Sequence, residues 1–106
     1  MPGSINCKDL PYKSYYCAEN GIVRLDRYYP TPETIYVQRD GDKLIIDEGL
    51  RFKSQYDLSD RNHVKVNITD TSFMITDTGR QERIYKFTNV PKHKHFQLEE
   101  LKKLIG

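Results

Sequence analysis

Residues 34–47 have the sequence Thr-Ile-Tyr-Val-Gln-Arg-Asp-Gly-Asp-Lys-Leu-Ile-Ile-Asp. Asp40-Gly41 is a favoured two-residue hairpin turn, and the segments on either side are rich in β-branched and aromatic residues. Closure at this turn pairs Arg39 with Asp42 and places four apolar side chains on one face: Ile35, Val37, Leu44 and Ile46. The sequence therefore predicts an antiparallel hairpin whose apolar face lies in the core.

Downstream of this hairpin, apolar and polar residues keep alternating, which is typical of strands with one face in water. Residues 50–58 form one such segment, and Val64, Val66 and Ile68 mark a second. Asp70-Thr71 and Asp77-Thr78-Gly79 are turn sequences, and they predict two more strands, at residues 73–75 and 83–87.

Upstream, Asn20-Gly21 suits a type I′ turn because both positions tolerate positive φ. We therefore predict another hairpin, made of residues 15–18 and 22–28. Pro30-Thr31-Pro32 then ends that unit, since proline cannot donate to a strand ladder.

The C-terminal segment has helical periodicity. Leu98, Leu101, Leu104 and Ile105 form one stripe of a helix at residues 96–106, and this stripe must cover part of a sheet. The predicted fold is a β-rich α+β domain, a curved antiparallel sheet or small half-open barrel of about six to eight strands closed by that helix. A chain of 106 residues fits a single domain spanning residues 1–106, of which we expect 1–13 to be irregular or partly disordered.

Composition narrows the choice of partner and compartment. Seventeen Lys and Arg against fifteen Asp and Glu leave a net charge of +2, too small to indicate a nucleic acid or a membrane by itself. The sequence has neither a secretory signal nor an apolar run near the ~20 residues that cross a bilayer, so we expect a cytosolic protein without a membrane partner. Cys7 and Cys17 would be free thiols there, and a bridge between them stays an open alternative.

No motif for catalysis, for a cofactor or for a metal is recognisable. Only His93 and His95 have the close spacing of zinc ligands, and the acids around Asp40-Gly41 do not follow the pattern of a calcium loop. A nucleophile elbow, a phosphate-binding loop and a His-Glu-x-x-His motif are all missing from the sequence. We therefore expect a non-catalytic protein without cofactor or metal, and a small enzyme whose His, Cys and Asp residues converge from remote positions is the weaker alternative.

Tyrosines and cations are concentrated near the N-terminus, and they are the candidate binding residues. Tyr and Arg are favoured at protein interfaces, so we expect docking to a protein partner, or self-association, through Tyr15, Tyr16, Arg24, Arg27, Tyr28 and Tyr29. The same residues could stack bases and neutralise phosphates, which makes nucleic-acid binding the first alternative. A basic patch would support it: Arg80, Arg83, Lys86, Lys92 and Lys94.

Residues 31–49 also resemble a family. The run from Thr31-Pro32 through the alternating strand and the Asp-Gly turn to Asp47-Glu48-Gly49 is similar to the core of an uncharacterised bacterial and prophage domain family of unknown function. The resemblance implies a phage or mobile-element context, in which small proteins often bind and block host machinery. It carries no functional residue over to this chain.

Overall fold

Seven strands and one helix make up the part of the chain that the structure describes, residues 15–49, 52–81 and 83–106 of a computed structural model. The predicted irregularity of residues 1–13 lies outside these ranges. The elements are β1 Ile22–Arg27, β2 Glu33–Asp40, β3 Lys43–Asp47, β4 Lys53–Asp57, β5 Val64–Ile68, β6 Phe73–Asp77, β7 Arg83–Phe87 and α1 His95–Ile105.

The strands form two antiparallel sheets that do not close into a barrel. The first sheet has the order β1-β2-β3-β4 and the second has the order β5-β6-β7. Every neighbouring pair is also consecutive in sequence, as short turns require. The predicted β-rich α+β fold with a C-terminal helix is confirmed.

The central hairpin forms with a register shifted by two residues from the predicted one. Asp40 pairs with Lys43 and Val37 pairs with Ile46, so the two turn residues are Gly41 and Asp42. Gly41 has φ 62°, which suits glycine at the first central position of a hairpin turn. Because side chains alternate with a period of two, this shift keeps the predicted apolar face in the core.

The predicted hairpin at Asn20-Gly21 is wrong. Residues Ala18–Asn20 form a short 3₁₀ turn, and Gly21 ends it in the left-handed region with its N–H bonded to the Ala18 carbonyl. A Gly with positive φ suits the end of a helical turn as well as a hairpin. β1 pairs instead with β2, across the proline-rich segment at residues 28–32.

One hydrophobic core joins the two sheets and the helix. Alternate residues of each strand point into it, and the α1 stripe completes it. Its central members are Val23, Leu25, Ile35, Val37, Leu44, Ile46, Phe73, Ile75, Phe87, Leu98 and Leu101, all buried. Phe52, an apolar residue of the alternating segment 50–58, lies just before β4 and is 64% exposed.

Polar side chains fix the helix α1 against the first sheet. The Gln97 Oε1 atom accepts a hydrogen bond of 2.9 Å from the backbone N–H of Asp26, and Glu100 Oε1 accepts one of 3.0 Å from the N–H of Ala18. At the other end, Arg39 Nη1 donates to the carbonyls of Leu104 and Ile105, each at 2.9 Å. The side chain of Gln97 thereby satisfies a backbone group at the outer edge of β1.

Cys17 is buried just before the 3₁₀ turn, and it is disulfide-bonded. The sulfur is therefore not the free thiol that a reducing compartment would favour.

Within the described ranges, no helix is long and apolar enough to cross a membrane.

Candidate functional site: a tyrosine and cation stripe on the first sheet

The polar face of β1 and β2 carries the residues that sequence analysis associated with binding. Val23 and Leu25 face the core, so Arg24 and Asp26 face the opposite side of the sheet. Across the strand pair, Tyr36 lies opposite Arg24 and Thr34 lies opposite Asp26. Strand alternation alone therefore brings a cation, a carboxylate and an aromatic ring to one surface.

Asp26 is the fixed point of this surface. Asp26 is 3% exposed, and its carboxylate accepts four side-chain hydrogen bonds. Oδ1 accepts from Thr34 Oγ1 at 2.6 Å and from Arg24 Nε at 3.1 Å. Oδ2 accepts from Gln97 Nε2 at 2.8 Å and from Lys94 Nζ at 2.9 Å. A buried carboxylate is tolerated because its lone pairs are satisfied and two cations compensate its charge.

Aromatic rings extend the Asp26 network in both directions. On one side, the Tyr36 ring contacts Tyr16 at 5.0 Å between centroids, and Tyr16 meets Tyr15 edge-on at 5.5 Å. On the other side, Lys94 Nζ lies 5.4 Å from the centroid of Tyr28. The Tyr28 ring in turn stacks on His93, with 6.1 Å between centroids and 19° between planes.

These contacts form one continuous surface, which we call the tyrosine stripe: Tyr15, Tyr16, Tyr36, Arg24, Asp26, Lys94, Tyr28 and His93. Its outer members are open to solvent, since Tyr15 is 70% and Tyr28 is 54% exposed. Exposed rings held by neighbours lose little freedom on binding, which favours them as contacts for a partner.

The hydrogen bonds also set the protonation of the stripe. Burial alone would raise the pKa of Asp26, but the bonds from Thr34, Gln97, Lys94 and Arg24 lower it from 3.8 to about 2. Burial lowers the pKa of Lys94, yet its interactions with Asp26 and Tyr28 raise it overall. At neutral pH the stripe therefore holds one carboxylate and two cations in fixed positions.

Four of the six predicted interface residues lie in the stripe: Tyr15, Tyr16, Arg24 and Tyr28. Tyr29 follows directly in the chain and is 74% exposed. Arg27 is placed elsewhere, because alternation turns it toward the second sheet. Its Nη2 atom lies 2.5 Å from Glu33 Oε2, and its guanidinium stacks over the Phe87 ring.

Arg27 belongs to a polar cluster between the sheets, together with Glu33, Glu48 and Tyr85. Burial and the nearby Glu33 carboxylate raise the pKa of Glu48, and burial and the two carboxylates raise the pKa of Tyr85. The Arg27 cation compensates this cluster, so Arg27 has a structural role.

The five predicted basic residues do not form one patch. Arg83 points inward over the Tyr56 ring, Lys86 lies on the outer face of β7, and Arg80 lines a cleft near the β6–β7 connection. Lys94 joins the stripe, and Lys92 lies beside it in the 3₁₀ turn Lys92–Lys94.

The cleft has a volume of about 690 Å³ and contains polar side chains from the loops at one end of the molecule. His63 Nδ1 lies 2.9 Å from Asp60 Oδ1, whereas the Ser59 hydroxyl donates to Asp57. The hydroxyl and the imidazole therefore bond to different carboxylates. Among the described residues, no cluster of three or more His, Cys, Asp or Glu could hold a metal ion.

Comparison of the chain with protein-family models, with curated proteins and with solved structures finds no match. The resemblance of residues 31–49 to a prophage domain family therefore stays a prediction.

Sequence reasoning missed Asp26, Tyr36 and His93 as members of this surface. The signal for Tyr36 was its position opposite Arg24, which becomes visible only when β1 is paired with β2. Asp26 had no local signal, since Lys94 and Gln97 come from the other end of the chain.

Proposed function

We propose that this chain is a non-catalytic protein-binding module that docks a partner protein through the tyrosine stripe. The observation that carries the proposal is the order of exposed rings and cations along the stripe, fixed from beneath by the buried Asp26 carboxylate. Tyrosine beside an anchored cation offers apolar area and hydrogen bonds together, a combination typical of interface hot spots.

We expect the partner to bind through side-chain contacts with the stripe, and not by adding a strand to the edge of β1. The backbone N–H of Asp26 already bonds to Gln97, so an added strand would lose one ladder bond there. A second copy of the chain is one partner that the stripe could accept, and a phage or mobile-element setting is compatible with a small blocking protein.

Nucleic-acid binding is the second candidate, and the Tyr28–His93 pair favours it. The two rings are nearly parallel and Lys94 lies beside them, which is the combination of stacking surface and cation that single strands use. Protein binding ranks first because Asp26 offsets one of the two stripe cations, whereas a nucleic-acid site gains from a row of uncompensated ones.

The sequence and the disulfide-bonded state of Cys17 favour different compartments. The cytosolic location expected from the sequence stays a prediction. The disulfide-bonded state of Cys17 favours an oxidising compartment instead, since cytosolic thiols are kept reduced.

Replacing Tyr15 and Tyr28 together by Ser should abolish partner capture. Hot-spot tyrosines contribute about 2 kcal/mol or more each, so affinity should fall by at least ~30-fold per residue. The measurement is an affinity pull-down from a lysate of the source cells, with nuclease treatment of a parallel sample.

The matched control is Ile84→Ser, which removes an apolar side chain of similar exposure, 66%, from β7 of the other sheet. Proteins captured by wild type and by Ile84→Ser, and lost with the double variant, support the stripe. Capture that the double variant retains would refute it, and capture that disappears with nuclease would favour nucleic acid.

A further inference from the structure

Arg24 has a guanidinium whose binding capacity is only partly used. Its Nε atom donates to Asp26, and the side chain is 42% exposed. Among the described residues, its two terminal nitrogens, Nη1 and Nη2, have no hydrogen-bond partner. An arginine anchored through Nε presents those nitrogens as a planar fork, which matches the two oxygens of a carboxylate.

The surroundings of Arg24 restrict what this fork can bind. Tyr36 lies across the strand pair and Tyr16 packs on Tyr36, so aromatic rings border the fork on one side. On the other side is Lys94, whose Nζ bonds to the second oxygen of the same Asp26 carboxylate. A ligand at Arg24 therefore meets rings and one further cation within side-chain reach.

Charge balance distinguishes between the two classes of anionic partner. Two cations against one carboxylate leave a single positive charge in the Asp26 network. A phosphate backbone carries a charge at every nucleotide and gains affinity from each cation it meets. A protein segment with one or two acidic side chains among aromatic residues is a closer match to a surface with one net charge and several rings.

We propose that the tyrosine stripe recognises an acidic protein segment, with a Glu or Asp carboxylate of the partner bound in the Arg24 fork beside a partner aromatic or apolar residue. This inference rests on the proposed function and specifies the chemistry of the partner. Lys94 supplies a second contact for a neighbouring acid, and Tyr16 and Tyr36 contact the partner's apolar side chain.

The test uses fluorescence anisotropy with three labelled probes: a Glu-Tyr copolymer peptide, a Lys-Tyr peptide of equal length and an oligothymidylate. Wild-type protein should bind the Glu-Tyr probe and should bind the other two at least ~10-fold more weakly. Arg24→Gln should weaken Glu-Tyr binding by roughly 10-fold to 100-fold, the range expected for a charge-assisted pair.

Arg24→Lys covers the case in which Arg24→Gln fails to fold, because it keeps a cation for Asp26 and loses only the planar fork. It should also bind the Glu-Tyr probe more weakly than wild type. Lys86→Gln, on the outer face of β7, removes the same charge away from the stripe and should leave affinity unchanged.

Equal affinity of wild type and Arg24→Lys, no binding of the Glu-Tyr probe, or tighter binding of the oligothymidylate would each overturn the acidic-segment assignment. If the probes give one of these results while wild type still captures a partner protein that the double variant of Tyr15 and Tyr28 loses, only this assignment fails. If the tyrosine variants capture the partner normally, the proposed function itself fails.

Discussion

Asp26→Ala should lower the free energy of unfolding by about 3–5 kcal/mol, the range observed when one partner of a buried ionic network is removed. The variant leaves Arg24 and Lys94 without their shared carboxylate, and it removes the acceptor of Thr34 and Gln97. Thermal unfolding should show a midpoint lowered by roughly 15–30 °C. A decrease no larger than that of Asp70→Ala, an exposed acid in the β5–β6 turn, would contradict the role assigned to Asp26.

The same carboxylate gives a specific pH dependence. Its pKa is lowered from 3.8 to about 2 in the folded protein, so its contribution is present above the unfolded value and is lost as pH falls toward the folded value. The shift corresponds to about 2 kcal/mol of stability. Between about pH 4 and pH 2, the free energy of unfolding of wild type should therefore fall by about 2 kcal/mol more than that of Asp26→Ala. Urea unfolding at each pH measures this difference.

The second large effect is expected at the helix. Leu101→Ala removes a side chain that is 0% exposed at the contact of α1 with the core, and such truncations cost about 2–5 kcal/mol. Urea unfolding should show a lower midpoint with an unchanged m value, because the surface exposed on unfolding stays similar.

Lys102→Ala is the matched control for the helix. It changes the neighbouring residue and breaks only a surface pair with Glu99 at 3.1 Å, worth at most ~1 kcal/mol. If Leu101→Ala were no more harmful than Lys102→Ala, the helix would not be packed as described.

Strand alternation made most of the β-structure predictable. In residues 64–68, apolar and polar side chains alternate, and this pattern assigns the strand and its inner face without knowledge of its neighbours. The error in the central register changed which residues are paired, but it left the core face unchanged, because a shift of two preserves the alternation.

The start of the fold was less predictable for a physical reason. Asn20-Gly21 offers positive φ, which suits both a hairpin and the end of a helical turn, so local sequence does not distinguish the two. The choice depends on packing, since the Ala18 N–H bonds to Glu100 at the far end of the chain.

The tyrosine stripe was partly predictable. The concentration of tyrosines near the N-terminus made Tyr15 and Tyr28 predictable as binding residues. The cations that share Asp26, however, come from positions 24 and 94. No local pattern connects positions so distant in sequence. Arg27 was predicted as an interface residue, but the alternation of side chains along β1 places it on the inner side of the sheet, where it pairs with Glu33.

Site-specific photo-cross-linking tests the docking surface most directly. Tyr28 and, in a separate variant, Ile84 are each replaced by a photoreactive phenylalanine, and the protein is irradiated in a nuclease-treated lysate of the source cells. A discrete protein adduct is expected from position 28 and none from position 84. An adduct from position 84 alone, or no protein adduct from position 28, would contradict docking through the stripe.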